Sequence, residues 1–275
     1  MDTIERSIDL DELVYKAKES LNKNGYFIAK KLINPQVYKE ARLNALKHFD
    51  NLEKNHKNLN YPLRGYVSAG MHDVDGLSRN KAWYLFRSCF FTWNRTKKEI
   101  ANITKISRDI SSIRNLIKGL PKDYGKFIEE DSSIAYTSLS IYPKDGGFLR
   151  NHKDGKESNI LHFKVELTHK GTDYKEGGFY IFDKKHSKKI DISSLIEPCD
   201  VAFFDGSQSH GIDPIYGDKG RVAFFEIPTV VNNGSRSGIY TNDGWSLVKR
   251  AVFRSQLFLA PKIKFAVNKI IKYLP

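Results

Sequence analysis

DVAFFDGSQSHGIDPIYGDKGRVAFFEIP, residues 200–228, holds two short runs rich in Phe, Val and Ile, DVAFFDG and RVAFFEIP, separated by a stretch of Gly, Ser, Asp and Lys. Branched and aromatic side chains pack on a pleated surface while Gly and Asp admit tight reversals, so runs bounded in this way read as β-strands. Three more lie upstream, SSIAYTSLSIY (132–142), NILHFKVELTH (159–169) and GGFYIFD (177–183), with KKIDI (188–192) as a sixth. Many short strands in succession describe a β-sandwich or a jelly roll.

Toward the N-terminus the pattern is helical over residues 10–57, where DELVYKAKESLNKNG and NPQVYKEARLNALKHFDNLEK flank the apolar run Tyr26-Phe27-Ile28-Ala29. Asn24-Gly25 ends the first helix, and Asn34-Pro35 opens the second with a capping residue and a proline in the first turn. Residues 59–78 are loop-like, and mixed aromatic and basic sequence follows through Pro121. The tail, 245–274, reads as helix again, broken or started at Pro261. The chain's 275 residues suffice for one elaborated domain. Two cysteines without a CxxC partner make no disulfide framework, the first residues carry acids and no apolar leader, and no apolar run approaches a membrane span, so the sequence predicts a cytoplasmic protein. A net charge of +13 favours anionic partners.

The pattern His-x-Asp occurs twice, and local geometry separates the two. His48 and Asp50 fall on the second helix, where residues two apart are separated by about 200° and cannot share an ion. His152 and Asp154 follow a strand and a Gly-rich turn, and in extended chain such residues project to the same side. A metal face of two imidazoles and a carboxylate needs one more histidine from another strand, and His210 follows the strand DVAFFDG. Arg221 then opens the last strand, with the planar fork that suits a carboxylate.

His152-x-Asp154, His210 and Arg221 together resemble the iron(II)/2-oxoglutarate-dependent dioxygenases, nearest to the phytanoyl-CoA dioxygenase-like group through NGYFIAKKLINPQVYKEARLNAL. Prolyl-hydroxylase-like members show the similar order HxD, GG, FF strand and HGI, here 152–154, 177–178, 203–204 and 210–212. The resemblance implies an α+β chain with a double-stranded β-helix (jelly-roll) core, N-terminal helices and a C-terminal helix. Its parts are 1–131 (helices and substrate wall), 132–228 (catalytic core) and 229–275 (extension). It also implies Fe(II) held by His152, Asp154 and His210, and 2-oxoglutarate with its distal carboxylate on Arg221 and a contact from Tyr142. The reaction would consume O2, release succinate and CO2, and hydroxylate a C–H bond. Asp154 favours oxygen insertion, since halogenating members carry a small residue there. Ala223 departs from the serine or asparagine many members place two positions after the arginine, and Lys164 is a lesser candidate for the carboxylate.

His162, His169 and His186 read as surface or substrate-side residues. Arg64, His72, Arg79, Trp83, Arg87 and Trp93 lie where such enzymes build a substrate wall, and their bases suit an anionic small molecule, a sugar, lipid-linked or specialised metabolite. The run PKIKFAVNKIIKYLP is a basic amphipathic helix that packs on the barrel or contacts an anionic membrane. Arg221 is followed by VAFFEI, without the second arginine of nucleic-acid demethylases, which argues against specific nucleic-acid binding; a protein or nucleic-acid oxygenase and a noncatalytic binding protein are the alternatives.

Overall fold

The computed structural model describes residues 3–5, 7–55, 74–79, 81–91, 101–124, 133–154, 161–183 and 187–230. Helix α1 (Leu10–Asn24) starts where the Asp9 carboxylate accepts from the N–H groups of Asp11 and Glu12. It stops at Gly25, whose φ of 82° is the left-handed cap that glycine adopts at no steric cost. Strand β1 (Tyr26–Ala29) follows, then α2 (Pro35–Asn55), capped by Asn34 Oδ1 on the N–H groups of Gln36 and Val37. Both helices and the intervening strand stand where the capping residues predict them.

Between α2 and the β-rich region the fold adds three elements; the first begins inside residues 59–78, read as loop-like, and the other two lie where the reading placed no element. The three are β2 (Val74–Arg79), β3 (Trp83–Phe91) and helix α3 (Ala101–Lys118). Helix α3 buries Ile103, Ile106, Ile110, Ile113 and Ile117, spaced three and four apart, so one stripe of the helix is apolar. Each such side chain contributes about 1.5–3 kcal/mol on burial.

The remaining strands are β4 (Ser133–Tyr142), β5 (Asp145–His152), β6 (Leu161–Glu166), β7 (Glu176–Phe182), β8 (Lys189–Asp191), β9 (Val201–Asp205), β10 (His210–Tyr216) and β11 (Arg221–Val230). All pair antiparallel in the order β1-β9-β6-β11-β4-β3-β5-β10-β7-β8, with β2 on β3. One reading is corrected: Gly146-Gly147, read as a turn before His152, lies inside β5; and His210, which follows the strand DVAFFDG, is the first residue of a further strand, β10. β10 pairs with β5 at Gly147 and Asp145 and so carries the strand through its glycines, β3 joins on the other side at Phe148 and Leu149, and β10 gains its own partners in β5 and β7.

Alternation along the strands sorts side chains into two cores. Leu161, Phe163 and Val165 of β6, Val222 and Phe224 of β11, and Val201 and Phe203 of β9 join the helices on the outer face. The intervening positions turn inward, where Phe204 of β9 meets Phe179 of β7 with ring centroids 5.0 Å apart. These strands lie far apart in the sheet order, so the sheet curls until its two ends face each other. No helix among the described residues is long and apolar enough to cross a membrane. The tail helix expected over 245–274 lies outside the described residues, as do Arg64, His72, Trp93 and His186.

Candidate functional site: a histidine–aspartate cluster over a lysine-floored cavity

His210 and His152 are cross-strand partners in the β10–β5 register, which sets their rings side by side with centroids 4.3 Å apart. Asp154, two residues beyond His152, is anchored by its N–H to the carbonyl of Gly206 at 2.9 Å. Its Oδ1 lies 3.7 Å from His152 Nε2 and its Oδ2 lies 3.5 Å from His210 Nε2. One ligand atom from each of the three residues falls within 4.8 Å of the others.

The tautomers follow from the neighbours. His152 Nδ1 lies 2.9 Å from the carbonyl of Arg150, and His210 Nδ1 lies 2.8 Å from the carbonyl of Gln208. A carbonyl only accepts, so each Nδ1 carries the proton and each Nε2 lone pair is directed to the cluster. Burial, and then the neighbouring His152, push the His210 pKa down to about 2, which keeps it a neutral imidazole. Two neutral imidazoles and a carboxylate on one face form the donor set that suits Fe(II) and leaves further positions open.

A cavity of about 460 Å³ opens beneath the cluster, lined among others by Trp83, Arg87, Tyr142, His162, Lys164, Phe204 and Phe225. Lys164 is 6% exposed, and its ammonium lies 3.4 Å from the ring centroid of Phe179, with Phe204 and Phe225 at 5.7 and 5.5 Å. No hydrogen-bond or ion-pair partner reaches it among the described residues. Burial, and after it Arg221, pull its pKa well below the ordinary lysine value.

Arg221 is fully buried, but Glu166 holds it, Oε1 accepting from Nη2 at 2.6 Å and from Nε at 3.2 Å. Glu166 also accepts from Ser193 and Tyr174. Arg221 is not among the residues lining the cavity; its guanidinium carbon lies 5.5 Å from the ring centroid of Tyr142, and Nη1 has no partner among the described residues. Tyr142 is buried and lines the cavity, with no hydrogen bond to its hydroxyl among the described residues. A carboxylate fits this floor, because it would supply an acceptor to the Lys164 ammonium, which lines the cavity and lacks one among the described residues.

His48, the decoy, is buried against β3 with Nε2 2.7 Å from Ser88 Oγ, and Asp50 is exposed. His169 is buried too and meets the Tyr38 hydroxyl, so it is not a surface residue. Nor is His162: it is 1% exposed, stacked on Phe204 at 5.3 Å, with Nε2 3.5 Å from Asp154 Oδ2. Of the two roles the sequence left open, surface or substrate side, His162 lines the cavity; its place beside Asp154 was not expected, and the available signal was its position in the alternating polar row His162, Lys164, Glu166 of β6.

No protein-family model matches the chain, and no curated protein matches it. Solved structures do. A prolyl-4-hydroxylase of Pseudomonas putida is 14% identical, with a TM-score of 0.53 over 79% of this chain and 98% of the other. A prolyl hydroxylase of Trichoplax adhaerens, in complex with a hypoxia inducible factor peptide fragment, is 14% identical, with a TM-score of 0.54 over 80% and 90%. The dioxygenase for auxin oxidation of Arabidopsis thaliana, in a binary complex with 2-oxoglutarate, is 12% identical, with a TM-score of 0.50 over 83% and 91%. At such identity these likenesses speak to fold, and the fold is the double-stranded β-helix of oxygenases of this type.

Proposed function

We propose that the chain is an Fe(II)- and 2-oxoglutarate-dependent dioxygenase that hydroxylates a C–H bond of an anionic small molecule. The observation that carries the reading is the His152–Asp154–His210 cluster, both imidazoles locked by backbone carbonyls, standing over a cavity with a lysine that has no acceptor among the described residues. His152 and His210 hold the iron through Nε2 and Asp154 through one oxygen. When bound, the iron supplies the activation of O2 and of 2-oxoglutarate that ends in succinate, CO2 and the hydroxylated product.

The protein's part is placement and exclusion of water. Lys164 takes the distal carboxylate of 2-oxoglutarate, Arg221 contributes Nη1 from below, and the Tyr142 hydroxyl donates at the same end. Phe179, Phe204 and Phe225 wall this end off from water, which strengthens the charge pair. Arg221 thus shares the role with Lys164, which the sequence offered only as the lesser candidate. Arg87 and Arg150 on the cavity wall support an anionic substrate group, since Asp154 is the one carboxylate among the described lining residues. A peptide is the second reading, favoured by the Trichoplax adhaerens neighbour, whose structure includes one.

The test is anaerobic titration of the apoprotein with Fe(II) and 2-oxoglutarate, following the visible charge-transfer band. Wild type and His48→Ala should develop it, and His152→Ala and His210→Ala should not. A folded wild type without the band refutes the assignment. Stimulation of 2-oxoglutarate turnover by anionic metabolites against peptides then decides the substrate class.

A further inference from the structure

A fourth imidazole stands beside the three-residue cluster. His162 opens the inward row of β6, and its Nε2 lies 3.5 Å from Asp154 Oδ2, the oxygen that is also 3.5 Å from His210 Nε2. The ring stacks on Phe204 at an interplanar angle of 25°, which fixes its plane. Gly206 closes the other side. A Cβ there would fall 2.2 Å from His162 Nε2 and 3.0 Å from Asp154 Oδ2, so only glycine lets the chain that anchors the Asp154 N–H pass this close.

A carboxylate that binds a metal through one oxygen leaves the other to be satisfied, and at Asp154, whose side chain is 19% exposed, a donor fixed in the protein orients that oxygen where water would not. His210 is unable to provide it, because its proton is on Nδ1 and committed to Gln208, and its Nε2 lone pair faces the cluster. The same holds for His152 with Arg150. We infer that His162 is a positioning residue that donates its Nε2–H to Asp154 Oδ2 and so turns Oδ1 to the metal. The present 3.5 Å is a few tenths of an ångström longer than a hydrogen bond, a gap that a small rotation of the Asp154 side chain closes. This rests on the metal-site reading above.

The experiment titrates Co(II) into the full-length apoprotein and into His162→Ala and His162→Gln, reading the dissociation constant and the visible cobalt spectrum. Loss of an outer hydrogen bond to a metal ligand weakens binding about 10- to 100-fold, so His162→Ala should bind Co(II) that much more weakly with a shifted band. His162→Gln, which keeps an N–H donor and cannot act as an imidazole ligand, should recover most of the affinity. Equal binding by wild type and His162→Ala overturns the inference, and so does a glutamine variant as weak as alanine, which would make His162 a ligand itself. A folded wild type that binds no Co(II) overturns the metal site as a whole, an outcome separate from the first two. Should His162→Ala not fold, nitrogen-15 NMR of histidine-labelled wild type loaded with Zn(II) reads the tautomer directly. A proton on His162 Nε2 is required, and its absence refutes the inference.

Discussion

Lys164→Met should weaken 2-oxoglutarate while leaving the apoprotein at least as stable, two effects of opposite sign from one substitution. The ammonium lies in a ring of Phe179, Phe204 and Phe225 and is 6% exposed, so its charge has lost most of its water. Removing one partner of a buried charge pair costs about 3–5 kcal/mol. With Arg221 Nη1 remaining to hold part of the carboxylate, a loss of about 2–4 kcal/mol is left, or roughly 30- to 1,000-fold in Kd. In the free protein no anion among the described residues pairs with the same lysine. Desolvation costs several kcal/mol, against which the contact with Phe179 returns about 0.5–2 kcal/mol. Methionine, of similar length and apolar, removes that cost, so Tm should stay level or rise by about 2–6 °C. Anaerobic calorimetry with Mn(II) and 2-oxoglutarate, paired with thermal melting of the apoprotein, reads both quantities. Wild-type affinity in Lys164→Met, or a melt several degrees lower, refutes the placement of the carboxylate on this lysine.

Other consequences concern the frame that holds the site. Arg114 of α3 and Glu226 of β11 are both buried and paired at 2.6 Å, so Glu226→Ala strands the guanidinium and should cost about 3–5 kcal/mol in urea unfolding. His48→Ala should cost about 1–3 kcal/mol through the lost bond to Ser88, with Fe(II) and 2-oxoglutarate binding unchanged by calorimetry. Burial pushes the Asp173 carboxyl up, but hydrogen bonds from Arg42, the His169 N–H and Lys219 outweigh it and bring the pKa from 3.8 to about 2. The folded state therefore favours the ionised form, and this stabilisation, on the order of 1–2 kcal/mol, is whole above about pH 4 and lost as pH falls toward about 2. Unfolding midpoints measured across that window should fall in wild type and lose this share of the slope in Asp173→Asn.

What was legible in the sequence is what local geometry decides. Whether a His-x-Asp pair shares a face depends only on the period of its own element, and the capping residues Asn34 and Gly25 settled that His48 lies on a helix. The loads on Arg221 and Lys164 depend on register between strands distant in sequence, which no local pattern carries. Glu166 is paired with Ala223 across the β6–β11 ladder, two residues from Arg221 on the same inward face, and so reaches the guanidinium. Nothing in NILHFKVELTH announces that partner. Yet the run held a clue in physical terms, because every residue of β6 is buried while alternate ones are polar. Buried polar groups in a curled sheet are satisfied by one another or by a ligand. Glu166 is answered by Arg221, Ser193 and Tyr174, and His162 stands at Asp154. Lys164, between them, has aromatic faces around its ammonium and no hydrogen-bonding acceptor among the described residues, so of the three it is the one left for a ligand to answer.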